Sequence, residues 1–260
     1  MLRHIAGVVP VSGVETEISS PVDLALHPIS LNYLAVERAV AECAYAGCDT
    51  IWVVCDDGEK PLIRHVLGDY VYDPVYHNRT RARFPQEHRR MIKIYYVPVG
   101  SRFRKRKSVW LSIMAGCLTS KKISSGMSKW LKPTKYYVSF PYGVYEPSIV
   151  QEHRSAISSE SNMCLAYNGE SIKNNAFLGA AFVPGVLQDI TQKYAHDRYT
   201  EKPIKIFENI NNFDKVEIKS YNNIVDWDSY IEALQVKLNK PDILPSAELN
   251  GIGVDECLNI

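Results

Sequence analysis

The chain has 260 residues, 46% hydrophobic and 23% charged, with a formal net charge of +1. That is long enough to bury a substantial core and too ordinary in composition for wholesale disorder. No run of about eighteen apolar residues offers a membrane span, and the opening MLRHIAGVVPVSG is too short and too interrupted for a secretory leader.

Six cysteines, Cys43, Cys48, Cys55, Cys117, Cys164 and Cys257, form no CxxC pair and share no zinc-like spacing with histidine. They sit mostly in apolar runs, as small core residues of a reduced, cytoplasmic protein do. The near-neutral total hides an asymmetry. From Arg79 to Lys107 the chain carries eleven Lys or Arg residues against the single acid Glu87, so the remainder is acidic.

In chain order, IAGVVPV reads as a buried parallel strand, SGVETEISSPVD as a loop, LNYLAVERAVAECAYAG as a helix ending at Gly47, and DTIWVVC as a second strand. This β-loop-α-β unit places Ser12, Gly13 and Thr16 where strand ends and helix amino termini offer N–H groups to phosphate. Asp56-Asp57-Gly58 ends the second strand as a turn, with Asp56 in reach of a ribose, and Pro61 opens a second helix. Asp73 to Arg90 shows no period and reads as a long surface excursion.

The strand MIKIYYVPV leads into the basic loop SRFRKRKS, and SVWLSIMAGCLT follows as a helix capped by Ser108. A basic loop feeding a helix amino terminus joins two anion-attracting devices. KYYVSFPYGVY is a fourth strand. Beyond it, Ile149–Ser158 and Val186–His196 read as helices, MCLAYNG and AFLGAAFVPG as strands, Lys205–Asn209 and Lys215–Ser220 as short strands, and WDSYIEALQVKL as a last helix capped by Asp226. One domain over residues 1–240 and a tail over 241–260 follow from this layout.

The order of these pieces resembles the sugar-phosphate nucleotidyltransferases, the nucleoside-diphosphate-sugar pyrophosphorylases. VVPVSG, Pro21 to Leu26, the helix ending Ala46-Gly47 before TIWVVC, IYYVPVG with its loop, NAFLGAAFV and NIVDWDSYIEAL are similar in order and kind to that family's segments. The resemblance covers roughly residues 3 to 237. It implies an α/β, Rossmann-like three-layer sandwich of the nucleotide-diphospho-sugar transferase (glycosyltransferase-A) type, with a mostly parallel central sheet.

The resemblance further implies a nucleoside triphosphate or nucleotide sugar as ligand, and transfer of a nucleotidyl group to a sugar 1-phosphate with release of pyrophosphate. Nucleotide contacts fall on Ser12, Gly13, Thr16, Asp56 and Ser108. Sugar contacts fall, by analogy alone, on Asn168, Glu170, Asn175 and Gly179. Magnesium is the cofactor implied, yet the expected metal carboxylates are not found. The closing aspartate aligns with Asn223, leaving Asp226 three positions later as the nearest carboxylate, and Asp57 and Asp226 are the acids left as metal candidates. The first loop carries Glu15 and Glu17 where the family has an arginine, and Val22-Asp23 where it has a lysine. Charge neutralisation in phosphoryl-type transfer therefore falls to Arg104, Lys105, Arg106 and Lys107.

Two other readings stand beside this one. One is a catalytically inactive descendant serving as a binding or assembly module, with self-association left open. The other is a nucleic-acid-associated protein using the basic, aromatic region 76–110, where tyrosines and phenylalanines interleave with cations.

Overall fold

The computed structural model describes residues 3–14, 16–80, 90–99, 108–127, 132–174, 176–187 and 213–244. Its elements in chain order are β1 (Ile5–Pro10), β2 (Pro28–Ser30), β3 (Tyr33–Leu34), α1 (Ala35–Ala46), β4 (Thr50–Asp56), α2 (Lys60–Leu67), β5 (Tyr70–Tyr72), α3 (Pro74–Thr80) and β6 (Met91–Val99). Then come α4 (Val109–Met127), β7 (Lys135–Val138), β8 (Gly143–Val144), α5 (Arg154–Ser158), β9 (Asn162–Tyr167), β10 (Glu170–Ser171), β11 (Ala180–Phe182), β12 (Phe213–Glu217), β13 (Asn222–Asn223) and α6 (Trp227–Leu234).

Among the described residues, β6, β4, β1 and β7 lie side by side and all parallel. The near-continuous apolar composition of β1 and β4 suits burial on both faces, and β1 is buried along its whole length, whereas β6 alternates buried and exposed residues over much of its length. β11 joins β7 antiparallel, β9 joins β11 antiparallel, and β12 joins β9 parallel; β5 pairs antiparallel with β6. The expected mostly parallel sheet is present. Because β4 lies on one side of β1 and β7 on the other, the winding reverses direction beside β1, and a ligand crevice belongs there.

Helices press on β1 from both sides at glycines. A Cβ on Gly7 would meet the Cys43 and Cys48 sulfurs at 2.9 and 3.1 Å, on the α1 side. Gly116 of α4 sits over the next strand residue, where a Cβ would meet Val8 Cγ1 at 2.6 Å and Val54 Cγ2 at 2.9 Å. Consecutive strand residues point to opposite faces, so α1 and α4 form the outer layers of a sandwich with β1 in the middle.

Several elements differ from the sequence reading, each for a local reason. Leu31 belongs to no helix: it is 87% exposed at the turn of the β2–β3 hairpin, where Asn32 adopts φ 54°, and α1 begins four residues later at Ala35. The presumed excursion starts instead with a buried Asp73 whose carboxylate accepts the Val75 N–H, ahead of Pro74 in the first turn of α3. Arg90 and Arg154 both face that carboxylate. The fourth strand stops at Val138, and Gly143–Val144 pair separately with Asn222–Asn223. AFLGAAFVPG is strand only over Ala180–Phe182. Asp226 caps α6 as expected. Lys205–Asn209 and most of Val186–His196 lie outside the described residues. Of the tail, Ile243 and Leu244 are buried, and the Ile243 carbonyl accepts the Tyr72 N–H.

Candidate functional site

The carboxyl ends of β1, β4, β6 and β7 bring their loops to one mouth. Val11 and Ser12 leave β1 still tied to β4, both N–H groups donating to the Val54 carbonyl. Ser12 Oγ donates to Asp56 Oδ1 at 3.2 Å. Gly13 turns with φ 91°, and a Cβ there would stand 2.7 Å from the Ser108 carbonyl oxygen, so the first loop lies directly on the start of α4. Ser108 Oγ accepts the Leu111 N–H as an N-cap, and Ser112 Oγ donates to the Ser12 carbonyl. Of the five expected nucleotide contacts, Ser12, Gly13, Asp56 and Ser108 thus converge; Thr16 lies half-buried in the same loop.

The crevice between β1 and β7 is bridged from within. Tyr142, fully enclosed after β7, places its hydroxyl 2.7 Å from Asp23 Oδ1 and 2.8 Å from the Val11 carbonyl. Asp23 Oδ1 also accepts the Ala25 N–H. Burial pushes the Asp23 carboxyl above its usual range, against the opposing effect of the Ala25 and Tyr142 hydrogen bonds, and nearby Asp56 adds to the rise. The one Tyr142 hydroxyl hydrogen is shared between the Asp23 and Val11 oxygens, so each contact is weaker than an unshared bond. The segment before α6 closes the same region: Glu17 N–H donates to the Val225 carbonyl and Ile224 N–H to the Tyr142 carbonyl.

Beneath this mouth lies a buried charge network that the sequence reading missed. Arg38 and Glu42 of α1, both 0% exposed, pair at 2.9 Å. Glu42 also accepts the hydroxyls of Tyr137, Tyr145 and Ser139, while Arg38 donates to the Phe140 carbonyl and lies over the Tyr145 ring. The signal available in the sequence was an i, i+4 ion pair on a helix with no polar face, AVERAVAECAYA. Gly179, an expected sugar contact, sits against this network: a Cβ there would meet Glu42 Oε1 and Tyr137 Oη at 2.4 Å, and its N–H donates to Tyr145 Oη.

The other sugar contacts are not gathered with Gly179. Asn168 (φ 51°) and Gly169 (φ 83°) form the turn of the β9–β10 hairpin, and Asn168 and Glu170 are exposed there. Asn175 and the cations Arg104, Lys105, Arg106 and Lys107 lie outside the described residues. The flanks of that basic stretch are described: Val99 is paired in register with Asp56, and Ser108 touches Gly13. Both flanks therefore stand at the mouth. Of the interleaved aromatics, Tyr95 stacks on Trp52 with ring centres 4.4 Å apart, and Tyr96 donates to the Gly68 carbonyl, so both are built into the fold.

The acids do not make a magnesium site among the described residues, where no three His, Cys, Asp or Glu side chains are placed to hold a metal. Asp23 is committed to Tyr142 and Ala25, and Asp57 is exposed on its turn. Asp226 accepts the Ser229 N–H at 2.8 Å, which holds its carboxyl below the usual range. The five described cysteines are buried thiols, and burial pushes the Cys55 thiol up to about 12. No described helix is long and apolar enough to cross a membrane.

No protein-family profile and no characterised protein matches this chain at the level of sequence. Solved structures do match in shape. A Bacillus anthracis structure assigned as a glucose-1-phosphate thymidylyltransferase, solved with sucrose, is 8% identical, with a TM-score of 0.61 over 94% of this chain and 98% of that one. A UDP-glucose pyrophosphorylase complexed with UDP-glucose is 12% identical, TM-score 0.59, over 90% and 98%. The 4-diphosphocytidyl-2C-methyl-D-erythritol synthase of Anaerococcus prevotii is 10% identical, TM-score 0.53, over 90% and 98%. These structural neighbours are sugar-phosphate nucleotidyltransferases or close in kind, and the likeness establishes the fold: a mixed α/β sandwich on a mostly parallel sheet, of the nucleotidyltransferase and glycosyltransferase-A type.

Proposed function

We propose that this chain binds a nucleoside triphosphate or nucleotide sugar at the mouth formed by Ser12, Gly13, Thr16, Asp56 and Ser108, without the pyrophosphate-releasing transfer. The observation that carries the reading is the contact of Gly13 with Ser108 beside the Ser12–Asp56 hydrogen bond, which joins three loops at the reversal point of the sheet. The cations of residues 102–107, flanked by Val99 and Ser108, neutralise the ligand's phosphates in this reading, and Asp56 accepts a ribose hydroxyl.

The first loop disfavours transfer. Its amides at Val11 and Ser12 are spent on Val54, and in this reading Asp56 sets a carboxylate beside the loop where developing negative charge would need cations. A site of this kind holds a nucleotide and does not stabilise a departing pyrophosphate.

The test is a thermal-shift screen of nucleoside triphosphates and nucleotide sugars, with and without magnesium, followed by a pyrophosphate-release assay with sugar 1-phosphates. At a hundred times its dissociation constant a ligand stabilises by about 2.7 kcal/mol, several degrees in Tm for a chain of this size. Stabilisation without pyrophosphate release is the expected result. A well-folded sample that no nucleotide stabilises overturns the binding reading; turnover overturns the loss of transfer.

A further inference from the structure

We propose that two copies of this chain associate through the outer face of α6, the helices antiparallel about a two-fold axis. The helix has two faces of different kind. Tyr230 and Ala233 are buried inward, with Tyr230 Oη donating to the Pro28 carbonyl and its ring set edge-on to His27. Outward, Trp227 is 53%, Ile231 53% and Leu234 40% exposed. These three follow at i, i+4 and i+7, one continuous stripe along the helix. The core face of the helix is already satisfied by Tyr230 and Ala233, so the outer stripe is a second apolar surface. A half-exposed tryptophan on it is the side chain type that anchors interfaces.

Charge selects the occupant. The helix opens with Asp226 and Asp228 and carries Glu232, and the chain leaves it through exposed Lys237. An antiparallel copy centred on Ile231 brings each acidic opening toward the partner's basic exit, so the two ends of the face complement each other, as an isologous contact requires, while the two Glu232 side chains near the axis oppose each other and weaken the pair. A parallel copy would place acid against acid. The stripe offers a few hundred Å2, against roughly 800 Å2 per partner in a typical stable complex, so the dimer is weak and concentration-dependent. The β2–β3 hairpin, tied to α6 through Pro28 and carrying exposed Leu31 at its turn, supplies neighbouring apolar surface.

Sedimentation-velocity runs on the full chain, from low micromolar to hundreds of micromolar, test this. Wild type is expected to pass from monomer to dimer over that range. Trp227→Lys is expected to remain monomeric with an unchanged far-UV spectrum and Tm. Lys237→Glu is expected to weaken the dimer at least tenfold, and Asp228→Lys in the same chain to restore it, which a merely apolar contact would not do. A wild type that stays monomeric throughout overturns the proposal. So does a dimer untouched by Trp227→Lys, or one in which the charge swap fails to rescue.

Discussion

The Tyr142 hydroxyl lies 2.7 Å from the Asp23 carboxylate, joining the loop after β7 to the loop after β1 across 119 residues of sequence. The contact closes the crevice at the point where the sheet reverses. Replacing Tyr142 with Phe removes the only described side-chain hydroxyl that serves both Asp23 and Val11. A loss of about 1–2 kcal/mol in denaturant unfolding is expected, the cost of leaving enclosed acceptors unpaired.

The pH dependence of that bridge has a definite sign. Folding raises the Asp23 carboxyl above 3.8, mainly by burial, so its contribution to stability is present below about pH 4 and is lost as pH rises through the raised folded value. Asp23→Asn keeps an oxygen acceptor for Ala25 and cannot ionise. Its Tm relative to wild type is therefore expected to become more favourable as pH increases from 4 toward 7. A difference in Tm that is flat over this range would show that Asp23 titrates as it does in the unfolded chain.

At Gly13 two constraints coincide, the positive φ and the Ser108 carbonyl 2.7 Å from where a Cβ would sit. Gly13→Ala is expected to cost about 1–3 kcal/mol and to push the first loop off α4. Urea unfolding reads the first effect. Loss of nucleotide-induced thermal stabilisation reads the second.

Glu42 is the common acceptor of Arg38, Tyr137, Tyr145 and Ser139 in a fully buried setting. Glu42→Ala strands the Arg38 charge and is expected to destabilise by about 3–5 kcal/mol. Arg38→Met with Glu42→Leu removes both charges and is expected to recover much of that loss. A double-mutant cycle measures the coupling directly.

Reversing Arg104, Lys105, Arg106 and Lys107 to Glu is expected to abolish nucleotide stabilisation while leaving the ligand-free Tm within about a degree, since substitutions away from core packing, caps and buried networks seldom move stability far. If short oligonucleotides bind the wild type with steep salt dependence and this variant does not bind them, the nucleic-acid reading gains instead.

The central unit was legible because its signals are local. Continuous apolar runs marked β1 and β4, Gly47 closed α1, and Ser108 and Asp226 marked helix starts. The β2–β3 hairpin was obscured because Leu31 and Leu34 fit a helical stripe, and only the left-handed Asn32 breaks it. Asp73-Pro74 carried a helix-start signature that a basic, aromatic context masked. The site was legible only in part. Ser12, Gly13, Asp56 and Ser108 could be named from strand ends and caps, but the Asp23–Tyr142 bridge and the Glu42 network join residues some hundred positions apart, which no local pattern encodes.

The glycine contacts at Gly7 and Gly116 bear on how this mouth can move. With thiols against one face of β1 and valines against a helical glycine on the other, the strand has no slack to slide or tilt without steric overlap. Its amides should be among the slowest in the chain to exchange with solvent. The opposite wall is tied as well, Ser139 and Tyr145 to Glu42, Phe140 to Arg38 and Tyr142 to Val11, so the described walls of the mouth meet a ligand as a preformed surface and not as jaws that close on it.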